Sequence, residues 1–418
     1  MKPRILQLWT LVFWAVMTCQ VTILPTTLQV ELLGRLVNIA TLAIFGICAL
    51  GALSRKHSER VLFFYCFPML LLVVGYSFNI LRSGHLEATS HVGLLLPWLA
   101  ALAVPFMRDI DWRRYWVLYY KFMLAASVVG LLEYVAVIFG YITPSTIETP
   151  YGSFLKGFAT IFFELDNQEA NNRMYGVFWE PGTYAMHLLP AIIYAMLHGK
   201  RMGLAVFIVC LALTGSLGGF LGLAIMLMFL CYWKAWQRGP GTAMVVIGVG
   251  VLTLLIAVPF AYDYAMTTYQ SKGDSASTRE ANLSVFFLRF WDIVFDAPLG
   301  MDLSGAQLST LEGGDQIYAG SNFAIGNALT FGGLMAMLGY VLFLTVNFVC
   351  WLQSLLQRQQ DNLFACVVIS FPAMLSFVVQ RMTVFDSALY AFLYAAPMLA
   401  LLRRVPTTPP DFAGMRST

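Results

Sequence analysis

Charged residues are scarce in this chain. Lys, Arg, Asp and Glu make up 11% of its 418 residues, against roughly 25% in a soluble domain. So thin a polar complement cannot coat a water-soluble fold of this length. The alternating ten-residue patterns of an outer-membrane barrel are also missing. All seven cysteines (Cys19, Cys48, Cys66, Cys210, Cys231, Cys350 and Cys366) fall in apolar stretches, and none forms a CxxC pair. They read as small membrane-core residues, so neither a disulfide framework nor a thiolate metal site is expected. The histidines do not cluster, and no nucleotide loop, internal repeat, low-complexity tract or soluble domain is visible. No metal, cofactor or nucleic-acid partner is expected.

What the chain does have is apolar length: 59% of its residues are hydrophobic. Apolar runs recur from Ile5 to Leu402, each near the roughly 20 residues that span a bilayer as a helix. They predict an all-α, polytopic transmembrane bundle with spans at 5–24, 36–53, 61–79, 92–107, 115–142, 176–197, 203–216, 217–235, 242–262, 324–351, 362–380 and 384–402. The first run lacks a small-x-small cleavage site and reads as an uncleaved helix. Runs 203–216 and 217–235 are separated only by Gly215-Ser216-Leu217-Gly218-Gly219, which fits either a hairpin or a broken helix. With the N-terminus inside, sixteen Lys and Arg fall at cytoplasmic ends and eight outside, with Lys121 in a span. That bias predicts both termini in the cytoplasm of a bacterial inner-membrane protein. Residues 1–404 form one membrane domain, with outside loops at 143–175 and 263–321 and a disordered cytoplasmic tail at 405–418. Residues 282–295 are dense in Phe, Leu, Val and Trp, which suits a helix lying on the membrane surface.

Four stretches carry candidate chemistry. In the run Arg173-Met-Tyr-Gly-Val-Phe-Trp-Glu180-Pro181-Gly182, Glu180 lies just inside the apolar zone, where an ionised group needs a role or a partner. Pro181 can open a helix. If the run is helical, Arg173 and Glu180 stand two turns apart and face one cavity; they serve chemistry or form a structural pair. Ser275-Ala-Ser-Thr-Arg279, followed by Arg289, offers guanidinium forks for phosphate or balances neighbouring acids. Gly320-Ser321-Asn322 is followed by Gly332-Gly333 at the start of the span 324–351; Asn322 bonds a sugar hydroxyl or caps the helix. The small residues of 213–219 favour close helix packing over a phosphate cradle. His187 reads as a core histidine or a proton carrier.

Taken in order, these pieces resemble the superfamily of Wzy-type polysaccharide polymerases and O-antigen ligases. The shared pattern is an arginine, then Gly-x-Phe-x-Glu-Pro at Gly176 to Pro181, then a Thr-x-Ser-x-Gly-like turn at 213–219. A Ser-x-Ser-x-Arg element follows, leading to Pro298-Leu299-Gly300, and Asn322 precedes a glycine-containing span. Ligases carry a histidine where this chain has Ser321, which favours the polymerase branch. The resemblance implies a metal-independent inverting glycosyltransferase acting on an undecaprenyl-diphosphate-linked oligosaccharide at the periplasmic face, beside membrane lipid and a chain-length regulator protein. It implies Glu180 as general base, with Arg173 and Arg279 clamping the diphosphate. Tyr175, Arg289, Ser321 and Asn322 contact substrate, and either Arg279 or Arg289 fills the family's arginine position. A ligase and a non-enzymatic flippase of lipid-linked sugars stand as alternatives.

Overall fold

The computed structural model describes residues 59–82, 98–99, 102, 112–149, 152–157, 160–164, 173–178, 181–250, 287–288, 290–301, 324–356, 361–380 and 393–394. They are mostly helical. Helix α1 spans Glu59–Arg82, with a π turn over Leu62–Cys66. Then come α2 (Trp112–Ile138), α3 (Pro181–Leu197), α4 (Arg201–Thr214), α5 (Leu217–Arg238) and α6 (Pro240–Gly250). The described chain continues with α7 (Phe290–Asp296), α8 (Ala324–Leu356) and α9 (Asn362–Gln380). Among the described residues, four helices are long and apolar enough to cross a membrane: α1, Arg113–Ile138 of α2, α5 and α8. Phe63, Phe67, Leu70, Phe78 and Leu81 of α1 are exposed. Such a surface suits hydrocarbon rather than water. The expected spans 5–24 and 36–53 lie outside the described residues, as does nearly all of 92–107 and 384–402; 242–262 is described to residue 250.

Helix α3 is the centre of the bundle. Every residue from Pro181 to Ala195 is buried, the mark of a helix packed on all sides. It contacts α2, α4, α5 and α9. Tyr184 of α3 donates its hydroxyl to Ser127 Oγ of α2 at 2.8 Å, and Tyr119 of α2 donates to the His187 carbonyl at 2.6 Å. Each phenol thus finds a partner while its ring fills the core.

The second packing centre is the seam between α1 and α8. A Cβ added to Gly75 would stand 2.5 Å from Gly332 O and 2.8 Å from Ala336 N. Small residues let these backbones touch, as lipid-embedded helices require. Gly75→Val should push them apart and lower the detergent melting temperature, at about the 1–3 kcal/mol scale of overpacking. Gly248→Val, at a site with nothing within 4 Å, is the control. Equal melting of the two variants would contradict the seam.

The helix ends fall on two faces. Helices α1 and α8 are antiparallel, since Gly75 meets Gly332 while Gly339 meets Pro68 and Leu72. Trp351 Nε1 donates to the Val368 carbonyl across the α8–α9 hairpin. Asn362 Nδ2 donates to Leu197 O, and Arg113 pairs with Asp361 at 2.6 Å, joining the starts of α2 and α9 to the end of α3. One face therefore carries the end of α1, the end of α2, the start of α3, the α4–α5 turn and the start of α8.

The first long loop holds a structure that the all-α reading lacked. Strands β1 (Ser145–Thr149), β2 (Gly152–Lys156) and β3 (Ile161–Glu164) form an antiparallel sheet in the order β1-β2-β3, with Ser145 opposite Lys156 and Phe154 opposite Glu164. Short strands of β-branched and aromatic residues satisfy their backbone by pairing with chain neighbours.

Candidate functional site

The first junction on this face is built around Arg173. The segment 173–178 is not helical; Gly176 adopts φ +59°. The two-turn spacing considered for Arg173 and Glu180 therefore does not apply. Glu180 lies outside the described residues, and α3 begins at the next residue, Pro181, as proline's tolerance of a first helical turn allows. The segment lies against the α4–α5 turn instead. Met174 N donates to Leu213 O at 2.9 Å. Arg173 Nε donates to Thr214 O at 2.8 Å, and its Nη2 to Gly215 O at 3.3 Å. The guanidinium thus closes the carbonyl end of α4, where the helix dipole favours a cation.

The turn is a hairpin, not a kinked helix. Gly215 ends α4 at φ 55°, a left-handed conformation that glycine enters without penalty. Ser216 caps α5, its Oγ accepting from Gly219 N at 3.2 Å. A Cβ on Gly219 would stand 2.7 Å from Ala185 Cβ, so this stretch packs closely against α3, as its small residues predict. Arg173 and the 213–219 turn, separate in sequence, are one structure. Tyr175 is buried beside them.

The second junction joins elements more than two hundred residues apart. Helix α8 is broken at Gly333 (φ 68°, ψ −170°), in its interior rather than near its start. The segment after α7 enters the break: Met301 N donates to Thr330 O at 2.7 Å, and Leu334 N donates to Pro298 O at 2.8 Å. Asn79, fully buried near the end of α1, donates through Nδ2 to Met301 O at 2.9 Å and Phe331 O at 3.0 Å. Arg82, one turn on, donates through Nη2 to Asn79 Oδ1 at 3.0 Å and to Gly300 O. Groups orphaned by the break thus find partners, which a break at membrane depth demands. The Pro298–Gly300 and Gly332–Gly333 motifs are here in direct contact.

Helix α7 lies against α8 through Ile293, which packs with Met301, Leu329 and Met337. Its other side exposes Trp291 and Phe295, stacked 5.9 Å apart. The described part of the 282–295 stretch is thus two-sided; residues 282–286 and 289 lie outside the described residues. No protein-family model matches the chain, and no curated protein matches it.

Two residues passed over in the sequence belong to this face. Glu133, near the C-terminal end of α2, is buried and accepts a hydrogen bond from Thr160 Oγ1 at 2.6 Å. Gly130, one turn away, faces Met174, Thr160 and Gly176. A lone acid inside an apolar run was a legible signal. The second is Arg82, the last residue of α1.

His187 is buried in α3 and stacks on Phe178 at 4.6 Å. Its Nδ1 faces Thr183 O at 2.8 Å, so Nδ1 carries the proton, and Nε2 has no partner among the described residues. Arg279, Arg289, Ser321 and Asn322 lie outside the described residues.

Proposed function

We propose that this chain is a Wzy-type polymerase of about twelve spans, which joins undecaprenyl-diphosphate-linked oligosaccharide units at the periplasmic face of the bacterial inner membrane. The observation that supports this reading is the pairing of motifs. The Arg173 run is bonded to the 213–219 turn, Pro298–Gly300 is bonded into the break at Gly333, and both junctions lie on one face. The charge distribution supports the orientation. Of the described bases, Arg60, Arg113, Arg114, Lys200, Arg201, Lys234 and Arg238 lie toward the opposite face, while Arg82, Lys156 and Arg173 lie toward the motif face. The richer side is the cytoplasmic one.

In the proposed reaction, the acceptor sugar's hydroxyl oxygen attacks the anomeric carbon of the donor. The bond from that carbon to the diphosphate breaks, and its electron pair leaves with the lipid diphosphate. Glu180 takes the hydroxyl proton. Arg173 and Arg279 or Arg289 stabilise the charge growing on the leaving group, in a cleft of low dielectric where such contacts are strong. The membrane holds both polyprenyl tails and supplies proximity. Tyr175, Ser321 and Asn322 bind sugar, and a chain-length regulator is the expected protein partner.

The discontinuous α8 favours a second reading, a flippase of lipid-linked sugars, since transporters use broken helices. One assay separates the readings. Purified protein in vesicles, given lipid-linked repeat units alone, should yield a glycan ladder. A ligase needs a second acceptor, and a flippase changes only the sidedness of the lipid. Glu180→Gln should bind donor yet form the ladder at least ~100-fold more slowly, the low end for a general base. Wild-type protein that makes no ladder but moves the lipid across the vesicle overturns the polymerase reading.

A further inference from the structure

We propose that Arg82, presented at the helix break by Asn79 and Gly300, is an anion-binding residue that holds the phosphate groups of a polyprenyl diphosphate. This inference rests on the polymerase reading and adds to it a residue outside the motif set.

Among the described residues, nothing charged neutralises Arg82. Its partners are two neutral oxygens, Asn79 Oδ1 and the Gly300 carbonyl, both met by Nη2. No carboxylate among the described residues pairs with it, and Asp292 and Asp296 of the adjoining α7 make no ion pair with it. A guanidinium carries five N–H donors in a planar fork. One nitrogen is committed here, and Nε and Nη1 have no partner among the described residues. The side chain is exposed, so those donors are reachable.

The anchoring is built rather than incidental. Asn79 is wholly buried and ties Met301 O and Phe331 O with its amide, which leaves Oδ1 to orient Arg82. Gly300 sits where a Cβ would stand 2.8 Å from Asn79 Nδ2. The guanidinium is thereby fixed through one edge, with no counter-charge among the described residues. Arg173 is held in a related way, by carbonyls at the end of α4 on the same face. At Arg82 a fixed donor with no described acid beside it suits phosphate oxygens, which a planar fork meets in pairs.

The surroundings favour an amphiphile. Leu299 and, on α7, Trp291 and Phe295 are exposed beside the turn that Arg82 grips. A cation next to an apolar surface fits a phosphate head that continues into hydrocarbon. An ordinary anionic phospholipid shares that chemistry, and the test separates the two sources.

Purified full-length protein is titrated with undecaprenyl diphosphate and, separately, with phosphatidylglycerol, and bound lipid is measured by native mass spectrometry. Arg82→Lys keeps one donor for Gly300 O and the positive charge, so its melting should match wild type. It should nevertheless bind undecaprenyl diphosphate roughly tenfold or more weakly, the scale of a lost charge-assisted hydrogen bond, with phosphatidylglycerol binding unchanged. Arg82→Gln should lose at least as much.

Undiminished diphosphate binding by Arg82→Lys overturns the proposal and leaves the polymerase reading standing. Equal loss for both lipids overturns it in favour of a general headgroup anchor. Failure of both variants to accumulate makes Arg82 a structural clamp and overturns it as well. Wild-type protein that binds no undecaprenyl diphosphate removes the polymerase reading and this inference together.

Discussion

Gly333→Ala is expected to leave little folded protein. At φ 68° and ψ −170° the backbone occupies a region open essentially to glycine alone, and an L-residue held there costs of order 1–3 kcal/mol. The steric problem is larger. An added Cβ would stand 2.5 Å from both Leu299 C and Pro298 O, and these are backbone atoms that no side-chain rotation relieves. Moving the 298–301 segment out of the break removes the bonds from Met301 N to Thr330 O and from Leu334 N to Pro298 O. The bonds from Asn79 to Met301 O and Phe331 O go with them.

Each buried group left without a partner costs about 1–3 kcal/mol, and a whole domain is stable by roughly 5–15 kcal/mol. The variant should accumulate poorly and melt far below wild type in detergent. Gly199→Ala is the comparison, since Gly199 also has positive φ (63°) but nothing within 4 Å. It should lose only the roughly 1–2 kcal/mol of a left-handed residue. A Gly333→Ala protein that melts like wild type would mean that the break is not held by the 298–301 segment.

Arg173→Lys should instead leave a folded, inactive protein. Lysine keeps a positive charge at the carbonyl end of α4, worth about 0.3–1 kcal/mol, and keeps one donor for Thr214 O or Gly215 O. It loses the fork. If Arg173 stabilises the leaving diphosphate, polymer made per folded molecule should fall on the order of 10²-fold or more, as when a preorganised donor is removed. Melting should change little. Arg173→Met removes both carbonyl contacts and should lower stability as well. Lysine activity close to wild type would reduce Arg173 to a helix cap and take the diphosphate clamp with it.

Parts of the two junctions were legible one motif at a time. Pro181 marked the start of α3, and the small residues of 213–219 marked a close-packed turn. Glu133 was legible by the same rule that singled out Glu180, an acid inside an apolar run, and was passed over. What no motif carried was partnership. Arg173 reaches Thr214, forty-one residues on, and Asn79 reaches Phe331, across 252 residues. Local spacing holds no record of such contacts.

The break in α8 was hidden for a related reason. From Leu329 to Met337 only Thr330 is polar, so hydropathy reads one continuous span, and glycine alone does not end a helix in lipid.

By itself the sequence determined the solvent. Scarce charge and recurrent apolar length require helices that satisfy their own backbone in a bilayer, and glycine and proline punctuate several of their ends. The tertiary structure decided where a helix abandons its own hydrogen bonds. At Gly333 the break is tolerable because Pro298, Met301 and Asn79 replace the missing partners. In a low-dielectric interior an unpaired backbone group is costly, so a break can persist only where distant segments converge on it.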